Sequence, residues 1–310
     1  MEHLISLKDW SPEKIRGVLE LAKDVKAQPS KYADAMARKT LLMIFEKPSL
    51  RTRLSFEAGM SQMGGHAIYY HTGNSPMGSG KETISDSVKT ASRFVDIIMA
   101  RLFKHSDLLE MAEYATVPVI NALTDDSHPC QILADLQAIE EKKGSLKGLK
   151  LAYLGDGFNN VTHSLMFGGT KMGMHVSIGS PAGEDYSPRA DVVDHCNKFA
   201  ETSGGSVAVS ADPVEAVKDA DVVYTDSWMS YHIPKDQEEQ RIAKFMPYQV
   251  NSALMAHAKP DAIFMNCLPA IRGCEQTAEV IDGPQSIVFD EAENRLHAQK
   301  AVILTLCNAV

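Results

Sequence analysis

The sequence lacks an excess of basic residues and has few aromatic residues and few cysteines. Lysine and arginine number 31 against 40 acidic residues, which gives a formal net charge of −9. A global basic surface for nucleic acid is therefore excluded, although a local basic pocket for a small anion is not. The five cysteines are odd in number and form no Cys-x-x-Cys pair, so neither a disulfide framework nor a zinc ribbon fits. We expect a protein of a reducing compartment, the cytoplasm.

Long hydrophobic runs are also missing. The most apolar stretch near the end, residues 301–310, is far shorter than the roughly 20 residues that a membrane-spanning helix needs. Residues 1–17 show no basic segment followed by an apolar run, so no signal peptide is expected. The chain has 310 residues, of which 44% are hydrophobic and 23% charged, which is typical of a globular protein. This length exceeds the usual size of one hydrophobic core and predicts two domains.

Short apolar, β-branched runs alternate with stretches of helical spacing. The runs occupy residues 40–45, 67–70, 96–102, 117–121, 149–155, 174–180, 220–226 and 261–267. Helical spacing is clearest at residues 11–25, 129–142 and 187–202. Such alternation is typical of parallel sheets with helices on both faces. We therefore predict an α/β protein with two doubly wound parallel-sheet domains.

The best candidate for a domain boundary is EEKKGSLKG at 140–148, a glycine- and lysine-rich turn that follows a long helix. It predicts a first domain over residues 1–140 and a second over 145–290. Residues 291–310 are amphipathic at their start and apolar at their end. We expect them to form a C-terminal helix that packs back on the first domain.

Three familiar motifs are incomplete or absent. LGDGFNN at 154–160 has Asn160 where the third glycine of a dinucleotide-binding motif should be, and GSGK at 78–81 is followed by Glu82 instead of Ser or Thr. The chain contains no Gly-x-Ser-x-Gly. Dinucleotide binding, a P-loop and a serine hydrolase are therefore disfavoured.

The segment FEKPSLRTRLSFE at 45–57 joins a predicted buried strand to a predicted helix. Pro48 ends the strand, and Ser49 is placed to cap a helix that begins with LRTR at 50–53. Backbone N–H groups, the Thr52 hydroxyl and two guanidinium groups would then converge at a helix N-terminus, an arrangement that holds a phosphate dianion. Taken alone, a solvated basic helix start with a serine cap is the simpler interpretation.

Two more segments place reactive side chains at predicted strand ends. DDSHPCQ at 125–131 puts His128 before Pro129, where an imidazole could donate to a carbonyl oxygen, although a loop histidine is more often solvated. FMNCLPAIRG at 264–273 ends a strand at Cys267, and the commonest fate of such a cysteine is burial as a small hydrophobic residue.

Together these segments resemble the carbamoyltransferases that use carbamoyl phosphate, and within them the ornithine carbamoyltransferases. PSLRTRLSFE resembles the family's Ser-Thr-Arg-Thr-Arg phosphate motif, with Leu50 in place of the first threonine. HPCQ (128–131), NCLPA (266–270) and ENRLHAQ (293–299) are similar to its His-Pro-x-Gln, His-Cys-Leu-Pro and C-terminal motifs. Arg101 follows a strand, as the family's phosphate- and carbonyl-contacting arginine does. The resemblance covers nearly the whole chain.

The resemblance implies a role for each matching residue. Carbamoyl phosphate would be bound by Ser49, Leu50, Arg51, Thr52, Arg101, His128, Gln131, Cys267, Leu268 and Arg295. Of these, Arg101 and His128 would polarise the carbonyl oxygen, and Cys267 would orient the reactants without forming a covalent intermediate. These three are the predicted catalytic residues. Neither a metal ion nor an organic cofactor is implied.

The acceptor amine is less constrained by the sequence. GDGFNN, the Asp-x-Trp-x-Ser frame at 226–230 and a cysteine before Leu-Pro resemble the ornithine type, whereas the aspartate type carries Arg-x-Gln and His-Pro-Leu-Pro-Arg. Transfer to L-ornithine would give L-citrulline and phosphate, a step of arginine biosynthesis. By that resemblance the amino-acid end of ornithine would be held by Asn160, Asp226, Ser230 and Tyr231, with Asp226 pairing with the α-ammonium.

Several positions depart from the ornithine pattern. Tyr231 and His232 replace Met-Gly, Asn266 replaces the histidine of His-Cys-Leu-Pro, and Met77 replaces a glutamine. Putrescine, lysine or an N-acylated ornithine therefore remain open as acceptors. A non-catalytic relative that binds carbamoyl phosphate or an amino acid is the alternative from another functional class.

The resemblance also implies a homotrimer, or a multiple of one, with active sites at subunit boundaries. The glycine-rich loop GNSPMGSGKET at 73–83 would reach a neighbouring site with Met77 and Lys81.

Overall fold

The computed structural model describes residues 1–229 and 233–309. Its strands are β1 (Thr40–Phe45), β2 (His66–His71), β3 (Ile97–Arg101), β4 (Val119–Leu123), β5 (Lys150–Leu154), β6 (His175–Gly179), β7 (Ser206–Ser210), β8 (Val222–Tyr224) and β9 (Ile263–Met265). Its α-helices are α1 (Pro12–Ala27), α2 (Leu50–Gln62), α3 (Ile84–Ala91), α4 (His105–Tyr114), α5 (Pro129–Lys143), α6 (Asn160–Lys171), α7 (Ala190–Ser203), α8 (Pro213–Val217), α9 (Glu238–Phe245), α10 (Ser252–Met255), α11 (Ala278–Ile281) and α12 (Val288–Leu306). Short 3₁₀ helices lie at Pro29–Tyr32, Thr72–Asn74, Lys235–Gln237 and Met246–Tyr248.

The strands form two parallel sheets. The first has four strands in the order β2-β1-β3-β4, and the second has five in the order β7-β6-β5-β8-β9. Neighbouring strands are parallel in both sheets, as the alternation of strands and helices requires. The predicted fold class, α/β with two parallel-sheet domains, is confirmed.

The chain divides into two compact units. One comprises Met1–Gln137 together with Glu293–Val310, and the other comprises Ala138–Ala292. The sequence analysis placed the boundary slightly later, in the turn at 140–148. The division falls earlier because α5 is one continuous helix through Lys143, so no loop marks the change of unit.

Helix α1 illustrates how the local sequence determines an element. The Ser11 Oγ accepts a hydrogen bond from Lys14 N at 3.2 Å, and Pro12 occupies the first helical turn. Ile15, Val18 and Leu19 then bury one face of the helix. The helix start predicted at this position is confirmed.

Strand β7 was not predicted from the sequence. It lies at the end of the second sheet and pairs with β6. Its residues, SVAVS, are small, with a serine at each end, and none of the five is buried. An edge strand of this kind needs no continuous apolar run, which is the signal that identified the other strands.

The carboxyl ends of the parallel strands determine where polar residues gather in each unit. In the first unit β1 and β4 lead into the segments that contain Ser49 and His128, and Arg101 is the last residue of β3. In the second unit β5, β8 and β9 lead into those that contain Asn160, Asp226 and Cys267. Ligands of open parallel sheets bind at such strand ends. No helix in the described part of the chain is long and apolar enough to cross a membrane.

Candidate active site

Helix α2 begins directly after the turn that ends β1. Ser49 has an extended backbone, and its Oγ accepts a hydrogen bond from Thr52 N at 3.2 Å, so the predicted serine cap is confirmed. Thr52 is completely buried, whereas the side chain of Leu50 is 69% exposed. Leu50 therefore contributes its backbone N–H group to the helix start, and the helix N-terminus favours an anion by its dipole.

Two guanidinium groups converge on the Thr52 hydroxyl. Arg101 Nη1 and Arg295 Nη2 each lie 3.4 Å from Thr52 Oγ1, and the Ser49 hydroxyl donates to the same oxygen at 3.0 Å. Arg101 is 6% and Arg295 2% exposed, so both charges are largely shielded from water. A half-buried third arginine, Arg51, lies in the first turn of α2. This concentration of buried positive charge at a helix start is suited to a phosphate group.

A buried network holds Arg295 on helix α12. Its Nη1 donates to Gln131 Oε1 at 2.5 Å, and its Nε donates to Gln299 Oε1 at 3.0 Å. Gln131 Nε2 donates in turn to Asp135 Oδ1 at 2.8 Å, and Ser55 Oγ donates to Gln299 Oε1 at 3.0 Å. Each partner of the guanidinium is itself fixed, so Arg295 is oriented before any ligand binds.

His128 lies directly before Pro129, the first residue of α5, and is 4% exposed. Burial lowers the pKa of His128 well below 6.5, and the positive charges of Arg295, Arg101 and Arg51 lower it further. The imidazole is therefore neutral at pH 7. A neutral imidazole can donate one N–H to a carbonyl oxygen without adding a fourth positive charge.

In the second unit Asp226 follows β8 and lies between two donors. Cys267 Sγ donates to Asp226 Oδ1 at 3.1 Å, and Asn159 Nδ2 donates to Asp226 Oδ2 at 3.2 Å. Asn159 also caps α6, because its Oδ1 accepts hydrogen bonds from Val161 N and Thr162 N. The helix start and the Asp226 carboxylate are thus fixed by one side chain. Asp226 remains partly accessible, as a cation-binding carboxylate must be.

The GDG turn before α6 is anchored by a buried ion pair. Arg241 Nη2 lies 2.5 Å from Asp156 Oδ2, and Arg241 Nε donates to Trp228 O at 2.9 Å. Burial raises the pKa of Asp156 to about 7, and the attraction of Arg241 opposes that rise. Gly155 has φ 128°, and a Cβ at this position would lie 2.9 Å from Trp228 Nε1. Glycine is therefore required at position 155, where the segment that contains Asp226 and Trp228 passes the end of β5.

The turn after β9 presents Cys267 and Leu268. Leu268 has φ 55°, in the left-handed region, and is followed by a cis peptide bond to Pro269. Leu268 N donates to Asn266 Oδ1 at 2.8 Å, so the turn is closed by the side chain of its own first residue. Cys267 is partly exposed beside Asp226, unlike Cys130, whose thiol is buried and has its pKa raised to about 12.

Asn160, Met77 and Lys81 are the other predicted residues that the structure describes. Asn160 is the first residue of α6, and it is partly buried. Met77 packs against the apolar core of the first unit, whereas Lys81 is exposed. Ser230 and Tyr231 lie outside the described residues. Within those described, no group of three or more His, Cys, Asp or Glu side chains is placed to bind a metal ion.

Comparison with known proteins shows that family models for two domains together cover most of the chain. A family model for the carbamoyl-P binding domain of aspartate/ornithine carbamoyltransferase matches residues 2–141, and one for the Asp/Orn binding domain matches residues 147–306. The chain belongs to the aspartate/ornithine carbamoyltransferase family. The membership predicted from the motifs is confirmed.

The resemblance to individual carbamoyltransferases extends over the full length. The ornithine carbamoyltransferase of Pyrococcus abyssi is 52% identical over 309 residues, covering 99% of this chain and 96% of that protein. The ornithine carbamoyltransferase of Bacillus subtilis is 52% identical over 300 residues, covering 97% and 92%. The solved ornithine carbamoyltransferase of Pyrococcus furiosus superposes with a TM-score of 0.94 at 50% identity, covering 100% and 98%.

Three residues beside the carbamoyltransferase motifs were missed by the sequence analysis. Lys47 is buried, and its ammonium lies 4.4 Å from the Phe103 ring centroid. Burial, and then the charge of Arg101, lower the pKa of Lys47 to about 8. Asn159 binds Asp226, and Gln299 binds Arg295. A signal existed for Gln299, because it lies four residues after Arg295 on the same helix face. The contact of Asn159 crosses from α6 to the segment after β8, so spacing along the chain could not indicate it.

Proposed function

We propose that this chain transfers the carbamoyl group of carbamoyl phosphate to the side-chain amine of L-ornithine, giving L-citrulline and phosphate. The observation that carries the proposal is the convergence of Arg101 and Arg295 on Thr52 at the capped start of α2. The full-length similarity to proteins named ornithine carbamoyltransferase directs the choice of acceptor.

The first unit binds and activates carbamoyl phosphate in this proposal. Arg51, Thr52, Arg101 and Arg295, with the backbone N–H groups of Ser49 and Leu50, bind the phosphate and stabilise the charge that it gains as it leaves. The neutral His128 and Arg101 donate to the carbonyl oxygen. Gln131 donates or accepts at the carbamoyl amide, and its own contact with Arg295 fixes its orientation.

The second unit binds the amino acid. Asp226 pairs with the α-ammonium of ornithine, and Asn160, with the predicted Ser230 and Tyr231, binds the rest of the amino-acid end. Cys267 and Leu268 complete the environment of the carbonyl and the attacking amine. The contact between Cys267 and Asp226 at 3.1 Å supports an orienting role for the thiol.

The reaction needs no covalent intermediate. The lone pair of the neutral δ-amine forms a bond to the carbonyl carbon, the bond from that carbon to the bridging phosphate oxygen breaks, and the phosphate leaves with the electron pair. The amine proton passes to solvent or to the leaving phosphate. Only an uncharged amine has the lone pair needed, so the acceptor must lose a proton before attack.

We also propose a homotrimer or a multiple of one, located in the cytoplasm. Support for self-association comes from α2 and the edge strand β2, which together expose four large apolar side chains: Leu50, Leu54, Ile68 and Tyr69. An exposed sheet edge beside apolar residues is normally covered. In such an assembly the loop at 73–83, with Met77 and Lys81, would serve a neighbouring site. The five free thiols are consistent with a reducing compartment.

The decisive experiment is a product assay with purified protein and carbamoyl phosphate. Citrulline and phosphate should appear in equal amounts with ornithine. The same assay should be run with putrescine, lysine, aspartate and N-acetylornithine as acceptors, because Tyr231, His232 and Asn266 depart from the ornithine pattern. Faster turnover of another amine would show that this amine, and not ornithine, is the acceptor. Binding of carbamoyl phosphate or ornithine without any turnover would favour the non-catalytic alternative.

A further inference from the structure

Asn266 occupies the position of the histidine in the His-Cys-Leu-Pro motif that this segment resembles. It follows β9 directly and precedes Cys267. Its side chain is fully buried, and so is that of Gln276, ten residues later. Two buried amide side chains cost free energy unless each hydrogen-bonding group finds a partner.

The Asn266 amide uses both of its polar atoms. Oδ1 accepts from Leu268 N at 2.8 Å, and Nδ2 donates to Gln276 Oε1 at 3.0 Å. The acceptor matters because Leu268, at φ 55°, is held in a backbone conformation that non-glycine residues rarely adopt. Asn266 thus stabilises the bend that directs Cys267 towards Asp226.

Gln276 ties this bend to the loop that follows it. Gln276 Nε2 donates to Ile271 O at 3.3 Å, and Gln276 O accepts from Gly273 N at 2.8 Å. The backbone N of Asn266 donates to Glu291 Oε2 at 3.1 Å. The bend is therefore held at both ends by hydrogen bonds within one unit.

We propose that Asn266 and Gln276 form a positioning pair for the acceptor side of the reaction, holding the 267–268 turn so that the Cys267 thiol lies against Asp226. The inference rests on the proposed carbamoyl transfer. An amide keeps its N–H donors and its carbonyl acceptor at every pH, whereas a protonated imidazole has two donors and no acceptor. With asparagine at 266, the hydrogen bond from Leu268 N does not depend on the protonation state of residue 266.

Three acidic side chains belong to the hydrogen-bond network around position 266. Glu291 accepts from Asn266 N and also from the Tyr224 hydroxyl at 3.2 Å. Glu275, whose pKa is raised by burial, accepts from Ile271 N at 3.0 Å, and Asp226 binds the Cys267 thiol. These carboxylates would stabilise a protonated imidazole, while burial would oppose it.

The first test compares Asn266→Ala, Gln276→Leu and the double variant. We expect kcat/KM for ornithine to fall at least about tenfold in Asn266→Ala and less in Gln276→Leu, with KM for carbamoyl phosphate within about twofold of wild type. The loss in the double variant should be smaller than the product of the two single losses, because both changes break the contact between Asn266 and Gln276. Asp212→Ala removes the cap of α8 just after β7, the edge strand opposite β9, and is the matched control for lost stability.

The second test is Asn266→His, the residue of the resembled motif. A neutral imidazole can accept from Leu268 N, but a protonated one cannot. The ratio of variant to wild-type kcat/KM for ornithine should therefore fall as pH decreases from 8 to 5.5. Because Asn266→His keeps a polar, bulky side chain, it still tests the positioning role of residue 266 if Asn266→Ala does not fold.

The proposal is overturned if the Asn266→His ratio stays flat across a pH range in which NMR shows the introduced imidazole to titrate, or if KM rises equally for both substrates. Loss of thermal stability in Asn266→Ala and Gln276→Leu with kinetics like those of Asp212→Ala would show a purely structural pair. If the wild type produces no citrulline, the proposed function fails instead, and the variants are then compared by ornithine binding.

Discussion

Thr52 is buried, and guanidinium groups from β3 and α12 lie 3.4 Å from its hydroxyl oxygen. Arg101 and Arg295 are separated by almost 200 residues, so only the fold brings them together. Their charges also act on His128, which explains why its pKa is lowered beyond the effect of burial. At the scale of residues, the candidate site is an electrostatic arrangement in which positive charge and a neutral donor are kept out of water.

The phosphate site can be tested at Arg51. In Arg51→Ala one charge-assisted contact to the leaving phosphate is lost, which should cost about 3 kcal/mol and lower kcat/KM about a hundredfold or more. Steady-state kinetics with carbamoyl phosphate measure this. Arg16→Ala, at a surface position of α1, is the control and should behave as wild type. Near-normal activity of Arg51→Ala would show that the segment is only a capped helix start.

Asp226 tests the acceptor side. Asp226→Asn keeps the shape and removes the charge that pairs with the α-ammonium. KM for ornithine should rise at least about tenfold, while KM for carbamoyl phosphate should change little. A rise in both constants would instead indicate that the second unit is disturbed as a whole.

The pH profile separates the amine from the histidine. The δ-ammonium of ornithine has a lysine-like pKa of about 10.4, so the neutral fraction grows about tenfold per pH unit below that value. kcat/KM for ornithine should rise steadily from pH 6.5 to 9. Because the pKa of His128 is lowered well below 6.5, its protonation adds no inflection in that range. A clear step near pH 6.5 would contradict a neutral His128.

At the scale of elements, α2 and α12 depend on each other. Ser55 on α2 and Arg295 on α12 both donate to Gln299 Oε1 at 3.0 Å. The ammonium of the next residue, Lys300, donates to Gln62 Oε1 at the end of α2. The C-terminal helix therefore supplies Arg295 to the phosphate site and also, through Gln299, fixes the orientation of its guanidinium group.

Gln299→Leu tests this coupling. The change preserves bulk but removes the acceptor shared by Ser55 and Arg295, so Arg295 should lose its fixed orientation. We expect KM for carbamoyl phosphate and the inhibition constant of inorganic phosphate to rise about five- to twentyfold together, with KM for ornithine unchanged. Lys300→Met, which removes the neighbouring contact between the same helices, is the control. Equal effects of the two changes would show that only helix packing is involved.

At the scale of the whole molecule, each unit carries its own parallel sheet and its own set of polar strand-end residues. The first supplies positive charge for an anion, and the second supplies Asp226 for an ammonium group. The family models for carbamoyl-P binding (residues 2–141) and Asp/Orn binding (147–306) correspond to this division, except that the second also covers residues 293–306 of the first unit, with Arg295. The exposed apolar residues of α2 and β2 belong to the first unit, which we propose to form the contacts between subunits.

Subunit mixing tests whether the loop at 73–83 serves a neighbour. Arg51→Ala and Lys81→Ala should each be nearly inactive as homo-oligomers. After mixing and reassembly, some sites would combine an intact Arg51 with an intact Lys81 from the neighbour, so part of the activity should return. The measurement is specific activity against mixing ratio. No recovery, with mixed assemblies demonstrated by mass, would place Lys81 in its own subunit's site or outside any site.

The sequence by itself determined the fold class, the helix caps at Ser11 and Ser49 and the family. These follow from local rules: apolar runs of strand length, helical spacing, and a hydroxyl placed before a helix start. Strand β7 was missed because an exposed edge strand needs no continuous apolar run.

The tertiary structure decided which polar groups meet. Gln299 could be inferred from its spacing to Arg295, but the contacts of Asn159 with Asp226 and of Asn266 with Gln276 join residues whose separation carries no local signal. The lowered pKa of His128 likewise requires burial together with three arginines from distant parts of the chain. Local sequence specifies backbone conformation, whereas burial and the convergence of charges arise only when distant elements pack.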